Sequence, residues 1–291
     1  MKTIHQELLD TPRVRELQKR KRAIQTKKRV VYSVLFLVLV SGLIAFSHAS
    51  RFRVTQIVIE GNVVTETNEI LSRTQQKLEG RYLFVFSKKH AWIAPKKSIE
   101  KALAGSFPRF SEVTVSGENI NTIRIHVTER TGVYLWCGEI FTPTSTPCYF
   151  LDDTGYIFAE APGFSGNVFF RFYGPLADRD TSHAIGGYVM SDVDFVYAKE
   201  FITGMKNLGI KPYAFVSTTI DERYLYIEHP SGDLTRSPKL ILSNKDDVVT
   251  VLQNFESAYN AEPLKTEFAQ KLPKLATVDL RFKNKVYYTY R

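Results

Sequence analysis

The side chains that could do chemistry in this chain are few, and they stand apart. Six histidines (His5, His48, His90, His126, His183 and His229) are scattered over 291 residues, and His and Cys nowhere combine at the spacing of a zinc site. Asp152 and Asp153 are adjacent carboxylates, the residue type for general acid–base work. They lie in an Asp-Asp-Thr-Gly turn without a nearby partner, and a satisfied turn is the simpler reading. Gly163-Phe164-Ser165-Gly166 lacks the spacing of a nucleophile elbow, and no phosphate loop, dinucleotide fingerprint or His-Glu-x-x-His is present. His126, on the polar face of a strand, reads as surface decoration. These absences point away from an enzyme: no catalytic or metal-binding residue, cofactor or small-molecule substrate is expected. Cys137 and Cys148 bracket a Pro- and Thr-rich loop. They read either as a disulfide that restricts the unfolded chain or as two half-buried thiols.

The elements that position these residues begin with an apolar run. Val30 to Ser50 holds 21 residues without Asp, Glu, Lys or Arg. At about 1.5 Å of rise per residue, that length crosses a hydrocarbon layer of roughly 30 Å. Residues 1–29 carry ten basic and three acidic residues, a net +7 of the chain's +9. Positive charge beside a span resists translocation, so residues 1–29 are expected to stay cytoplasmic and residues 51–291 to be exported. A cleaved signal peptide competes, through the small-x-small pattern Ser47-His48-Ala49, but the leader and the apolar run are both long for one. Lys19-Arg20-Lys21-Arg22 and Lys27-Lys28-Arg29 lack interleaved aromatics and abut the span, so they read as topogenic, with no nucleic-acid partner expected. The expectation is an uncleaved, single-pass membrane anchor.

Behind it the fold class is α+β. Residues 51–130 read as β-α-α-β-β, a small sheet with helices on one face. The strand Phe52–Glu60 closes at Gly61-Asn62. The helix Thr65–Leu78 has Thr65 or Thr67 as N-cap and Ile70, Leu71, Thr74 and Leu78 on one face. A second helix is expected over Pro95–Leu103, then strands at Glu112–Val115 and Thr122–Glu129.

Residues 131–291 read as a larger antiparallel, β-rich domain with two helices. A hairpin joins Tyr149-Phe150-Leu151 to Tyr156-Ile157-Phe158 through Gly155, and Val168–Phe172 is another strand. One helix spans Ser191–Leu208 with Ser191 as N-cap. Strands follow at Tyr213–Val216, Tyr224–Ile227 and Lys239–Leu242. The other helix starts at Ser243 or Asn244 and buries Val248, Val251, Leu252, Phe255 and Tyr259. A terminal hairpin turns at Lys283-Asn284, with Val278, Leu280 and Phe282 inward and Asp279 and Arg281 outward.

Two stretches carry a family resemblance. Phe52-x-Val54-x-x-Ile57-x-Ile59-x-Gly61-Asn62, Gly80-x-Tyr82-Leu83-Phe84, Phe107-Pro108 ahead of Val113-x-Val115, and Ile123-x-Ile125-x-Val127-x-Glu129-Arg130 resemble a POTRA domain of the FtsQ/DivIB bacterial cell-division family. The second is Val278-Asp279-Leu280-Arg281-Phe282, similar to the strand before that family's closing hairpin, although Thr277 stands where the family prefers an aromatic. His90–Pro95 departs from the POTRA pattern by lengthening the approach to the second helix.

A last strand at a sheet edge leaves backbone groups unpaired, so an incoming segment can add to it. From composition alone, a solvated strand with ordinary aromatics is the simpler reading. The resemblance reverses this, implying that Arg281, Phe282, Val286, Tyr287, Tyr288 and Tyr290 receive a bitopic, coiled-coil division partner of the FtsB/FtsL type. It implies a non-enzymatic divisome scaffold at the septum. The alternatives are a POTRA-bearing transport or secretion component binding unfolded substrate strands, and an anchored envelope hydrolase supported only by isolated carboxylates.

Overall fold

The computed structural model describes residues 12–48, 52–82, 86–142, 147–164, 166–178, 181–218, 222–243, 246–283 and 285–291. It opens with one unbroken helix, α1 (Pro12–His48). The helix therefore begins well ahead of Val30 and carries the basic leader on its own first turns. No Pro or Gly interrupts Arg13 to Ser41, and Lys, Arg, Gln, Leu and Ala are strong helix formers. Within it Lys19–Phe46 is long and apolar enough to cross a membrane, and Val31, Phe36 and Leu39 are bare, as lipid-facing side chains would be. Ser41 Oγ donates to its own helix at Val38 O, 2.9 Å, so this hydroxyl needs no water. Ala49, on which the cleavage pattern turns, and Ser50 lie outside the described residues.

The chain divides into two compact units. In the first, α1 is followed by β1 (Gln56–Glu60), α2 (Thr67–Leu78), a short hairpin of β2 (Arg81–Tyr82) and β3 (Phe86–Ser87), α3 (Lys96–Ser106), β4 (Phe110–Gly117) and β5 (Thr122–Glu129). The three long strands lie in the order β1-β5-β4, with β1 parallel to β5 in the register Ile57↔Ile123 and Ile59↔Ile125. Ile70, Leu78, Ile99 and Leu103 from the helices and Ile123 and Ile125 from the central strand are buried. Neither threonine caps α2. Glu66 stands at the N-cap without a side-chain bond, while Asn62 Nδ2 donates to Thr65 O at 2.9 Å and Thr67 Oγ1 at 3.0 Å, so the turn itself fixes the entry. Gly61 in that turn has φ +89°, and a Cβ there would stand 2.0 Å from Val127 O. Helix α3 begins just past Pro95 and runs to Ser106, beyond the expected Leu103. Leu83 and Phe84 lie outside the described residues.

The second unit is built on a nine-stranded sheet. In chain order come β6 (Tyr134–Trp136), β7 (Cys148–Leu151), β8 (Ile157–Ala161), β9 (Phe170–Tyr173), α4 (Asp192–Asn207), β10 (Pro212–Ser217), β11 (Glu222–Ile227), β12 (Lys239–Ser243), α5 (Val248–Tyr259), α6 (Leu264–Lys271), β13 (Leu275–Asp279) and β14 (Tyr287–Tyr290). The spatial order is β14-β13-β12-β11-β10-β9-β6-β7-β8.

This sheet is mixed rather than antiparallel as expected: β6–β9, β9–β10 and β12–β13 are parallel. For β9–β10 and β12–β13 the reason is connectivity. Helix α4 carries the chain from β9 to β10, and α5 with α6 from β12 to β13; such crossovers return a strand parallel to its neighbour. Helix α6 was not expected, nor was its packing through Leu264 and Phe268. Ser191 caps α4 as expected, accepting from Asp194 N–H at 3.2 Å. Helix α5 starts later than expected because Asp247 is its cap, accepting from Thr250 N–H at 3.1 Å; Asn244 lies outside the described residues.

One face of the sheet packs Phe172, Phe215, Leu225, Leu240 and Val278 against Phe195, Phe201, Phe255 and Phe268 of the helices. The other gathers Leu135, Cys137, Tyr173, Ala214 and Val216, with Phe141 stacked on Tyr226 at 4.0 Å. Cys137 and Cys148 are disulfide-bonded on this second face.

Candidate functional site

Asp152 and His229 take structural places. Asp152 Oδ1 accepts from Thr154 N–H at 2.9 Å, Thr154 Oγ1 at 2.7 Å and Tyr156 N–H at 3.0 Å, while its Oδ2 meets the Arg130 guanidinium. Burial pushes the Asp152 carboxyl up. The bonds from Thr154, Tyr156 and Arg130 outweigh burial and hold it below its ordinary value. Asp152 is therefore the centre of a turn closed by Gly155, at φ +83°, rather than a poised acid or base. His229 is buried between Ser231 Oγ at 2.6 Å and Pro273 O at 3.1 Å. Among the described residues, no group of three or more His, Cys, Asp or Glu could hold a metal ion.

The terminal hairpin offers a different kind of site. Strand β14 ends the nine-stranded order and, among the described residues, has a strand neighbour on one side only. It pairs with β13 in the register Thr277↔Thr289, Val278↔Tyr288 and Asp279↔Tyr287. Thr277, in the place where the family prefers an aromatic, meets Thr289 hydroxyl to hydroxyl at 2.7 Å. The far end of the sheet is not equally open. Ile157 of β8 exchanges backbone bonds with the segment at Gly186 and Gly187, at 2.7 and 2.8 Å, and Tyr156 bridges Tyr188 beside it.

The expected site residues of the hairpin do not share one face. Val286 and Tyr288 pack against the helix-side core. Tyr290 points the same way as Tyr288, its ring 5.6 Å away, and Lys271 of α6 stands over it at 5.4 Å. Burial raises the Tyr290 phenol, against the opposing effect of Lys271. On the open side, Tyr287 is 51% exposed and Phe282 49%, and their rings meet edge to face at 5.1 Å. Phe282 was expected to point inward. Strand β13 ends at Asp279, Arg281 N–H folds back to Asp279 Oδ1 at 3.1 Å, and the alternation stops before Phe282 is reached. Asn284 of the expected turn lies outside the described residues.

Arg281 is held within the domain. Its Nε and Nη2 donate to Asp279 at 2.9 and 2.6 Å, and Nη1 meets Glu222. The guanidinium keeps Asp279 below its ordinary value and is itself raised. Glu222 also accepts from Tyr224, whose phenol is pushed up to about 12, first by that bond and then by burial. Glu222 was missed, because it comes from β11, two strands away in the sheet order.

Residues 52–130 match the family described as POTRA domain, FtsQ-type. This segment is an FtsQ-type POTRA domain. Its β1-α2-(β2-β3)-α3-β4-β5 order is the β-α-α-β-β expected from the sequence, with the small β2–β3 hairpin added between the helices. The match covers residues 52–130, with the apolar helix ahead of this segment and the mixed sheet after it. No curated protein matches the chain.

Proposed function

We propose that this chain is a non-enzymatic, single-span scaffold of the bacterial division machinery. Its N-terminus lies in the cytoplasm, and its POTRA domain and large sheet lie outside the cytoplasmic membrane. There it docks other membrane-tethered division proteins, including bitopic coiled-coil partners of the FtsB/FtsL type, by β-strand addition along β14.

Edge β14 carries this reading. It ends the sheet, exposes Tyr287 and Phe282 beside its free side, and follows an FtsQ-type POTRA domain in the same chain. Backbone pairing would supply affinity and the aromatic pair selectivity. The disulfide fits an oxidising compartment. The FtsQ type of the matched POTRA domain favours this reading over a transport or secretion component. A fluorescent fusion to the full chain tests the reading: a midcell band in dividing cells supports it, and an even signal around the cell periphery contradicts it.

A further inference from the structure

Phe46, near the end of α1, lies with its ring 4.9 Å from Phe52 and 5.2 Å from His90. His90 opens the stretch His90–Pro95 that departs from the family pattern. Backbone bonds fasten this stretch beside the exit of α1: Ala91 N–H donates to Phe52 O at 2.9 Å, and Val54 N–H to Lys89 O at 2.7 Å. His90 is 1% exposed; its Nδ1 accepts from Trp92 N–H at 3.4 Å, while its Nε2 is buried without a partner.

The turn buries Ala91 and Ala94 yet leaves Trp92 73% exposed, 6.4 Å from the Phe52 ring. Among the described residues of this unit, no ring but that of Phe52 meets this indole. Phe86 to Lys97 contains Lys88, Lys89, Lys96 and Lys97 and no acidic residue, and Arg53 is exposed next to it. An exposed tryptophan among lysines, continuous with the last apolar turn of a membrane-spanning helix, has the chemistry of a headgroup layer. Trp is enriched there because its ring is apolar and its N–H is wet, and basic residues beside it attract anionic lipids.

We propose that Trp92 is a membrane-interface anchor. Its indole sits in the headgroup layer around the exit of α1, and Lys88, Lys89, Lys96 and Arg53 meet anionic headgroups beside it. The aromatic contact from Phe46 through Phe52 to Trp92 then holds the POTRA domain at a fixed tilt to the bilayer. This inference rests on α1 spanning the membrane.

The test uses the purified full chain in vesicles of phosphatidylcholine and phosphatidylglycerol. The chain has two tryptophans, and Trp136 is buried with its Nε1–H on Gly174 O at 3.0 Å. Trp136→Phe therefore isolates the Trp92 emission; should that variant fail to fold, the same signal comes from wild type minus Trp92→Phe. The expected result is a blue-shifted emission, lost when the lipids carry bromine near the headgroup and shielded from acrylamide. An emission quenched freely by acrylamide and untouched by brominated lipid, in a chain that resists carbonate extraction, overturns the anchor alone. A chain extracted by carbonate overturns the spanning helix and the anchor together. Shielding that appears only when a second protein is added assigns Trp92 to a protein partner and also overturns the proposal.

Discussion

Val278 and Tyr288 face each other across the β13–β14 pair, the first fully buried and the second packed on the same helix-side core. One residue earlier in β14, Tyr287 lies opposite Asp279 on the other face and is half exposed. Two adjacent tyrosines thus have opposite surroundings, one packed on the core and one half exposed.

Charged substitution of the two should have different effects. Tyr287→Glu is expected to leave the urea midpoint of the outer region unchanged and to weaken partner binding by about 2 kcal/mol, the size of an interface hot spot. Tyr288→Glu should instead destabilise the fold by about 1–3 kcal/mol, because it places a charge against an apolar core. Equal destabilisation by both would refute the division into faces.

Arg281 makes a contrasting case. Its bonds to Asp279 and Glu222 lie at a partly exposed position, so Arg281→Gln should cost no more than about 1 kcal/mol of stability in chemical denaturation. A larger loss would mean that the pair organises the hairpin.

Asp152 predicts a pH dependence. Its carboxyl is held below the ordinary value of 3.8, so the stabilisation is complete above that value and fades as pH falls through the depressed one. At neutral pH Asp152→Ala should cost about 2–3 kcal/mol, the worth of hydrogen bonds to a charged group. The gap between wild type and variant, followed by denaturation at descending pH, should narrow as the wild-type carboxyl protonates. A gap that stays constant into strong acid would contradict the charged turn.

The Cys137–Cys148 bridge closes a short loop. Its reduction should lower stability by about 3 kcal/mol in the chain-entropy account. Denaturation with and without reductant measures this, and thiol labelling of the unreduced, unfolded chain should find both cysteines blocked. Free thiols there would contradict the bridge.

Legibility followed sequence distance. The Ser191 cap, the Gly155 turn and the alternating Ile123, Ile125 and Val127 depend on neighbours a few residues away, and the sequence alone located them. The parallel pairings depend on connections that no local pattern encodes: helices join β9 to β10 and β12 to β13, and the β7–β8 hairpin lies between β6 and β9. Helix α6 is eight residues long, and its signal is faint: Leu264 and Phe268 four apart, with Glu267 and Lys271 bonded at 2.6 Å on the next face. At the candidate edge, the residue types of the hairpin were visible, but the phase of Phe282 was not. It depends on Asp279 ending the strand by accepting the backbone N–H of Arg281. Glu222 was equally hidden, since it meets Arg281 across 59 residues of chain.

The central claim is that β14 receives a partner strand outside the membrane. A photo-crosslinking amino acid placed at position 287 in the full chain, in living cells, tests it most directly, with position 160 on the opposite edge strand β8 as the comparison. The account predicts a covalent adduct from position 287 to a single-span membrane protein of the division machinery, lost when Thr289→Pro disrupts the edge, and none from position 160. No adduct at 287, or the same adduct from both edges, would contradict it.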